Sequence, residues 1–183
     1  ITPVKFGVSF TTTHLNQGGA LVHIYTDGTV HLNHGGVEMG QGLMTKISQI
    51  AAHDFGIEIN NIKITSTNTE KVPNTSVSSA SDTTDINGAA ASNAITNIKN
   101  KLNKFIQQHF KYKGKEIIYK NNFVKFGNKK ISFKKLISLA YFERVSLSST
   151  GFYKTPKIHV NKKTLKGRPF LYFAYGAAVS EVL

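Results

Sequence analysis

The stretch His34-Gly35-Gly36-Val37-Glu38-Met39-Gly40-Gln41-Gly42-Leu43 holds four glycines in ten residues and separates two segments of different hydrophobic period. Before it, Ala20 to Tyr25 and Val30 to Asn33 are β-prone runs around Thr26-Asp27-Gly28-Thr29, and Asp-Gly between such runs signals a hairpin. After it, Leu43, Ile47, Ile50, Ala51 and Phe55 recur at three- and four-residue intervals, which gives a helix one apolar face. Gly56 is placed to stop that helix. A glycine loop running from strand into helix lets successive N–H groups converge on an anion, and the helix start adds its own unpaired N–H groups and dipole. A tight connection explains the same residues. The loop is neither a Gly-x-Gly-x-x-Gly fingerprint nor a Walker loop, whose lysine follows the last glycine, so its local pattern leaves both readings open.

Outward from the loop, Phe6, Val8 and Phe10 alternate with small or polar residues over Lys5 to Thr12, which predicts a strand with one buried face. Thr13 to Gly19 is turn-forming, and Ile57 to Thr65 is expected to return to the sheet. Ser66 to Thr84 is dominated by Ser, Thr and Asn, with Pro73 as its rigid point. Such segments are commonly flexible linkers. Its placement before a helix, in a chain that already has a glycine loop, points to a second anion cradle. Asp85 is expected to cap that helix, whose apolar positions run Ile95, Ile98, Leu102, Ile106 and Phe110. Further on, Glu116 to Tyr119 and Phe123 to Phe126 read as a hairpin through Asn121 and Asn122. Ser132 caps a short helix, and Ser146 to Ser149 and Phe170 to Val182 read as strands.

The 183 residues, 40% hydrophobic, suffice for one sizeable core. No apolar run approaches the roughly 20 residues of a membrane span. Cysteine is absent, which removes disulfides, thiolate metal sites and cysteine nucleophiles together. The interior of a cell, the cytoplasm, is the expected location. The chain opens at Ile1 and stops at Leu183 within a strand-like run, so a longer polypeptide is expected. The net charge of +13 is uneven. Residues 1–90 carry four lysines against seven acids, a net of −3, and the remainder carries nineteen basic residues against three acids, a net of +16. A basic half of that size fits a nucleic-acid backbone, and also fits solvated lysines on exposed faces. The ratio of 21 Lys to 2 Arg favours the latter, because readers of bases and phosphates lean on the arginine fork.

No two of the seven histidines share a helix face at metal-ligand spacing. His23 and His31 are expected as cross-strand neighbours, a pairing more than a zinc site. Glu38 has no partner carboxylate, so an anchor accepting loop N–H bonds is a better reading than a general base. The hydroxyls from Ser76 to Thr84 show no Ser-His-Asp arrangement. Phe10, Thr11 and Leu15 place an aromatic face, a hydroxyl and an apolar wall close together, a trio that is core in most proteins.

Several blocks in register then carry a resemblance: Lys5-Phe6-Gly7-Val8-Ser9-Phe10-Thr11, Leu15-Asn16-Gln17, Tyr25-Thr26-Asp27-Gly28 and Glu38-Met39-Gly40-Gln41-Gly42. They continue through Val72-Pro73-Asn74-Thr75-Ser76, Asp85, Asn87-Gly88, Ser146-Leu147-Ser148, Thr150 to Pro156 and Tyr172-Phe173-Ala174-Tyr175-Gly176. Together they resemble the molybdenum-cofactor subunit of the xanthine dehydrogenase family of molybdenum hydroxylases, as an internal fragment. The match covers nearly the whole chain apart from about Lys99 to Lys135.

The resemblance implies an α+β fold, part of the molybdenum-cofactor-binding domain, with mixed sheets and packed helices. Residues 1–98 would hold the substrate and pterin loops, 99–145 a variable lysine-rich insert, and 146–183 a return to the sheet. It implies an oxidoreductase that hydroxylates purines, hypoxanthine or xanthine to urate, with oxygen taken from water. The cofactor is molybdenum-molybdopterin or its dinucleotide form. Met39, Gly40 and Gln41 would hold the pterin phosphate, Ala80 would lie near the molybdenum without a side-chain ligand, and Ser81 and Thr83 would help bind the pterin. Phe10 would stack on the purine, Thr11 would hydrogen-bond it and Leu15 would wall the pocket. Iron–sulfur clusters and FAD, with NAD as acceptor, are expected on other domains or subunits of an oligomer, with neither membrane nor nucleic acid as partner. The catalytic glutamate and an arginine-bearing loop are expected elsewhere, so no catalytic residue is assigned here and the fragment alone is expected to be inactive. An aldehyde oxidase-type hydroxylase and a basic nucleic-acid-binding module are the alternatives. Asp82 and Thr84 depart from the family's small residues before Asp85, and Thr13 and His14 depart beside the substrate segment.

Overall fold

The computed structural model describes residues 1–72, 75–79 and 81–182. Its centre is a mixed sheet whose middle strands are the predicted hairpin, β2 (Gln17–Ile24) and β3 (Val30–His34), following β1 (Thr2–Val8) in the chain. Helix α1 (Leu43–Phe55) carries the chain across to β4 (Ile62–Ile64), which pairs in parallel with β3. The long helix α2 is Thr83–His109. The small antiparallel meander comprises β5 (Ile117–Lys120), β6 (Phe123–Phe126) and β7 (Lys129–Ser132), with α3 (Phe133–Phe142) after it. Strand β8 (Ser148–Lys154) then joins β2, so the sheet order is β4-β3-β2-β8. The last elements are β9 (His159–Val160), β10 (Gly167–Arg168) and β11 (Tyr172–Ala178), and β11 pairs with β1 in a two-stranded ribbon.

Alternation fixes which face of the sheet is covered. Val22, Ile24, Val30 and Leu32 share a buried cluster with Leu43, Ile47, Ala51 and Phe55 of α1 and with Ala90, Ala94, Ile95 and Ile98 of α2. Each fully buried Leu or Ile in that cluster contributes about 1.5–3 kcal/mol of transfer free energy. Helix α1 stops where its glycine requires: Gly56 takes φ +64° and donates its N–H to His53 O and Ala52 O. Ser132 caps α3 by accepting from Lys135 N, and Phe55 meets Phe133 at 5.6 Å between ring centroids, which fastens the meander to the sheet layer.

Some expectations move. Strand β1 is exposed over most of its length, so it has no buried face. It pairs only with β11 among the described residues, and it is covered only at its end, where Val8 is buried and the Phe170 ring lies against Gly7. The segment from Ile57 begins as a 3-10 turn (Ile59–Asn61), and only Ile62–Ile64 pair. The strand expected at Ser146 begins at Ser148 and continues through Gly151 to Lys154, because its register is set by β2 along its whole length. Gly151 lies where α2 crosses, and a Cβ there would overlap Ala90 O and reach Ala94 N at 2.6 Å. Helix α2 starts at Thr83, so Asp85 sits inside its first turn and does not cap it. As its apolar spacing predicts, the helix runs on through Leu102 and Ile106, which share the core with Ile95 and Ile98.

Candidate functional site

Two pairs of glycines shape the loop between β3 and α1 for different reasons. At Gly35 and Gly36 the requirement is space: a Cβ at Gly35 would overlap the Thr75 side chain, and one at Gly36 would come within 2.6 Å of Leu43 and 2.8 Å of Thr83. At Gly40 and Gly42 space is open, but φ is +100° and +76°, a left-handed backbone that side chains disfavour. Gly35 N donates to Asn87 Oδ1 on α2 at 3.1 Å, which ties the loop to the second helix.

Glu38 organises the outer half of the loop. Its Oε1 accepts from Gly40 N and Gly42 N, each at 2.9 Å, and its Oε2 accepts from Met44 N at 3.0 Å. These N–H donors, Met44 first, hold the carboxyl below the usual glutamate range. An acid stabilised as the anion is a poor base, and the anchor reading follows. Gln41 braces the same turn: its Oε1 accepts from Met39 N at 2.6 Å and its Nε2 donates to Val37 O at 2.9 Å, leaving one N–H of the carboxamide free.

The serine-rich segment closes on this loop. Val37 N donates to Ser78 Oγ at 2.7 Å, and a cleft of ≈ 460 Å³ opens between the two. Four of the six residues expected to hold cofactor line it: Met39, Gln41, Ser81 and Thr83. Gly40 is exposed between two of them, and Ala80 lies outside the described residues. Lys46, Ser78, Ser79 and Thr84 also line the cleft and were not expected there. Lys46 had a legible signal: it stands near the start of α1, where the helix dipole disfavours a cation and where the first turn has no acid, a misfit that an anion would relieve.

The substrate-like segment is built separately. Asn16 is buried and holds it: Oδ1 accepts from Phe10 N at 2.7 Å, and Nδ2 donates to Phe10 O at 2.9 Å and Thr13 O at 3.1 Å. Phe10 and Leu15 are half-buried and Thr11 is exposed, and none of the three lines the cleft. The segment reaches the serine loop through Ser76 N, which donates to Gln17 O at 3.2 Å.

Two buried titratable groups stand in the segments that form the cleft, though neither lines it. His34, at the end of β3, accepts from Gly36 N on Nδ1 at 3.1 Å, so its ring proton sits on Nε2, which has no partner among the described residues. Burial lowers its pKa to about 4, with Glu38 opposing weakly. Asp82 is turned inward between Ser81 and Thr83, both of its oxygens are buried and unpartnered, and it makes no cap bond to α2. Burial, aided by Asp85, raises its pKa to about 6. Asp85 accepts from the Tyr172 hydroxyl at 2.9 Å, which joins β11 to the start of α2. Across β2 and β3, His31 Nδ1 and His23 Nε2 face each other at 3.2 Å as a pair, and no cluster of three metal-ligating side chains exists among the described residues.

A family model described as "Molybdopterin cofactor-binding domain" matches residues 1–183. The chain belongs to that family. A molybdopterin cofactor-binding domain of this kind is 47% identical over 182 residues to the xanthine dehydrogenase/oxidase of Gallus gallus. It is 44% identical over 182 residues to the xanthine dehydrogenase of Oryza sativa subsp. japonica. Each alignment covers 100% of this chain and 12% of the relative, so the chain spans about an eighth of the length of the curated relatives it matches. Among solved structures, quinoline 2-oxidoreductase from Pseudomonas putida 86 aligns with a TM-score of 0.75 at 18% identity, over 93% of this chain and 25% of that one. CO dehydrogenase from Oligotropha carboxidovorans aligns at 0.69 and 24%, over 76% of this chain and 18% of that one. These two likenesses show the fold, α+β with mixed sheets and packed helices. No helix among the described residues is long and apolar enough to cross a membrane.

Proposed function

We propose that this chain is the pterin-gripping part of a molybdenum hydroxylase that oxidises a purine, and that the cleft between the glycine and serine loops takes the cofactor's phosphate end. The observation that carries the reading is the convergence of Met39, Gln41, Ser81 and Thr83, from segments some forty residues apart, on one cleft. The cleft fits such a group. Its ≈ 460 Å³ falls within the range of small-molecule sites. Its donors are hydroxyls, the free N–H of Gln41 and the ammonium of Lys46, a set suited to an anion.

Within that reading each residue has a definable task. Gln41 offers its remaining N–H, Lys46 balances negative charge, and Ser81 and Thr83 hydrogen-bond the polar edges of the ligand. Ser81 is held at φ +54°, a backbone position kept for function where a side chain must be aimed. Phe10 stacks on the purine, Thr11 hydrogen-bonds it and Leu15 walls it. When bound, the cofactor supplies the two-electron redox centre for hydroxylation. The catalytic glutamate, the iron–sulfur and FAD groups and an NAD acceptor belong to other parts of the longer enzyme, an oligomer in the cytoplasm.

The experiment is made on the full-length protein. Gln41→Ala lowers molybdenum per protomer several-fold, read by metal analysis, while the loaded fraction keeps its affinity for purine; full loading would refute the phosphate role. Phe10→Ala keeps the metal and weakens purine turnover by roughly tenfold, as the loss of about 1–1.5 kcal/mol of stacking predicts. Unchanged steady-state rates would remove the stacking assignment. Glu38→Gln retains one carboxyl-like oxygen for two of the three loop amides and stays metal-loaded with normal turnover. Glu38→Ala frees all three amides and releases the cofactor, and a metal-free Gln variant beside a loaded Ala variant would reverse the argument.

A further inference from the structure

The ribbon of β1 and β11 shares its backbone ladder with no other described strand, and beyond the end tied down by Val8, Phe170 and the Tyr172–Asp85 bond both of its faces are largely open. On one face Val4 (56% exposed), Phe6 and Val8 stand opposite Gly176, Ala174 and Tyr172; on the other, Pro3, Lys5 and Gly7 stand opposite Ala177, Tyr175 (73% exposed) and Phe173. A two-stranded ribbon in water is marginal, because little of either face is buried and half of each strand's N–H and C=O groups have no partner in the ladder. Proteins that leave a strand edge exposed blunt it with charge or proline. Strand β1 has both, Pro3 and Lys5, while Tyr172-Phe173-Ala174-Tyr175-Gly176-Ala177-Ala178 of β11 has neither.

We propose that the free edge of β11 receives a further strand from another segment of the same longer polypeptide, which continues the sheet. Two observations assign the occupant. The matched relatives are about eight times the length of this chain, so a covering segment is available in cis. The edge left undefended is that of β11, with β1 protected against addition. The incoming strand is apolar on the side that meets Ala174 and Gly176. At Gly176 a side chain would find nothing within 4 Å in the chain itself, so the space over it is open to the neighbour.

Residue-resolved hydrogen exchange on the full-length protein tests this, and it does not depend on the cofactor because it is read in metal-free and loaded protein alike. Consecutive amides from Phe173 to Ala177 should exchange at least about a hundredfold more slowly than in a free chain, while β1 keeps an alternating pattern. Alternate fast and slow amides in β11 would overturn the proposal, since they would leave its outer edge in water. Protection that disappears on dilution to monomer would overturn it in favour of a second copy. Consecutive protection that persists on dilution supports it.

Discussion

Gly151→Ala is expected to destabilise the chain by about 3 kcal/mol or more, a larger loss than truncating many of its exposed side chains together. The new methyl would overlap Ala90 O and approach Ala94 N at 2.6 Å, and both are backbone atoms of α2. A flexible side chain could turn aside; a helix backbone must move as a body. Helix α2 is also held at this place by Asn93 Nδ2, which donates to Phe152 O at 2.7 Å, so a shift that accommodates the methyl breaks that bond and loosens Ala90, Ala94 and Ile95 against the sheet. Urea unfolding should show a lowered midpoint at an unchanged slope, and an unfolding free energy within about 0.5 kcal/mol of the parent's would show that helix and strand are not in such close contact.

The second large effect is one of pH, and the parent chain conceals it. The His34 pKa falls from 6.5 to about 4 on folding, so the stability it contributes is present above 6.5 and is lost as pH drops toward 4. The Asp82 pKa rises from 3.8 to about 6, so its contribution has the opposite sign: full below 3.8, lost as pH rises through 6. Near pH 5 the folded chain holds a proton on Asp82 that the unfolded chain lacks, and the unfolded chain holds one on His34 that the folded chain lacks. The two cancel, and the parent's slope from these groups is near zero. Asp82→Asn removes one side of the balance. Its stability relative to the parent should be higher by about 2–3 kcal/mol at pH 7.5 and should fall toward the parent's as pH approaches 4. His34→Gln should show the mirror trend. Unfolding curves from pH 4.5 to 7.5, read as differences from the parent, decide it: two variants with parallel flat profiles would mean that neither group is buried as described.

Much of the architecture follows from short-range patterns. The three- and four-residue spacing of Leu43, Ile47, Ala51 and Phe55, with Gly56 after them, gives α1 within its observed ends. Asp27-Gly28 gives the hairpin and with it the His23–His31 pairing. The blocks around Glu38 and Asp85 gave the two loops that line the cleft. What was not legible depends on tertiary approach. Ser78, Ser79 and Thr84 are unremarkable hydroxyls until the second loop bonds to Val37 N. Asp85 is the residue expected to cap α2 and Asp82 stands out only as a departure from a small residue, and only packing shows that the Asp82 carboxyl turns inward without a partner. The alternation of Phe6, Val8 and Phe10 announces a buried face, but nothing in it says that Val4 and Phe6 stay exposed in a two-stranded ribbon.

The carboxylate of Glu38 has one more consequence. Since it already occupies the amides of Gly40, Gly42 and Met44, the loop has its final shape before any anion arrives, and only side chains at the cleft need reorder. Uptake should therefore be a single bimolecular event whose rate rises linearly with cofactor concentration, without the plateau that a slow folding step in the loop would impose.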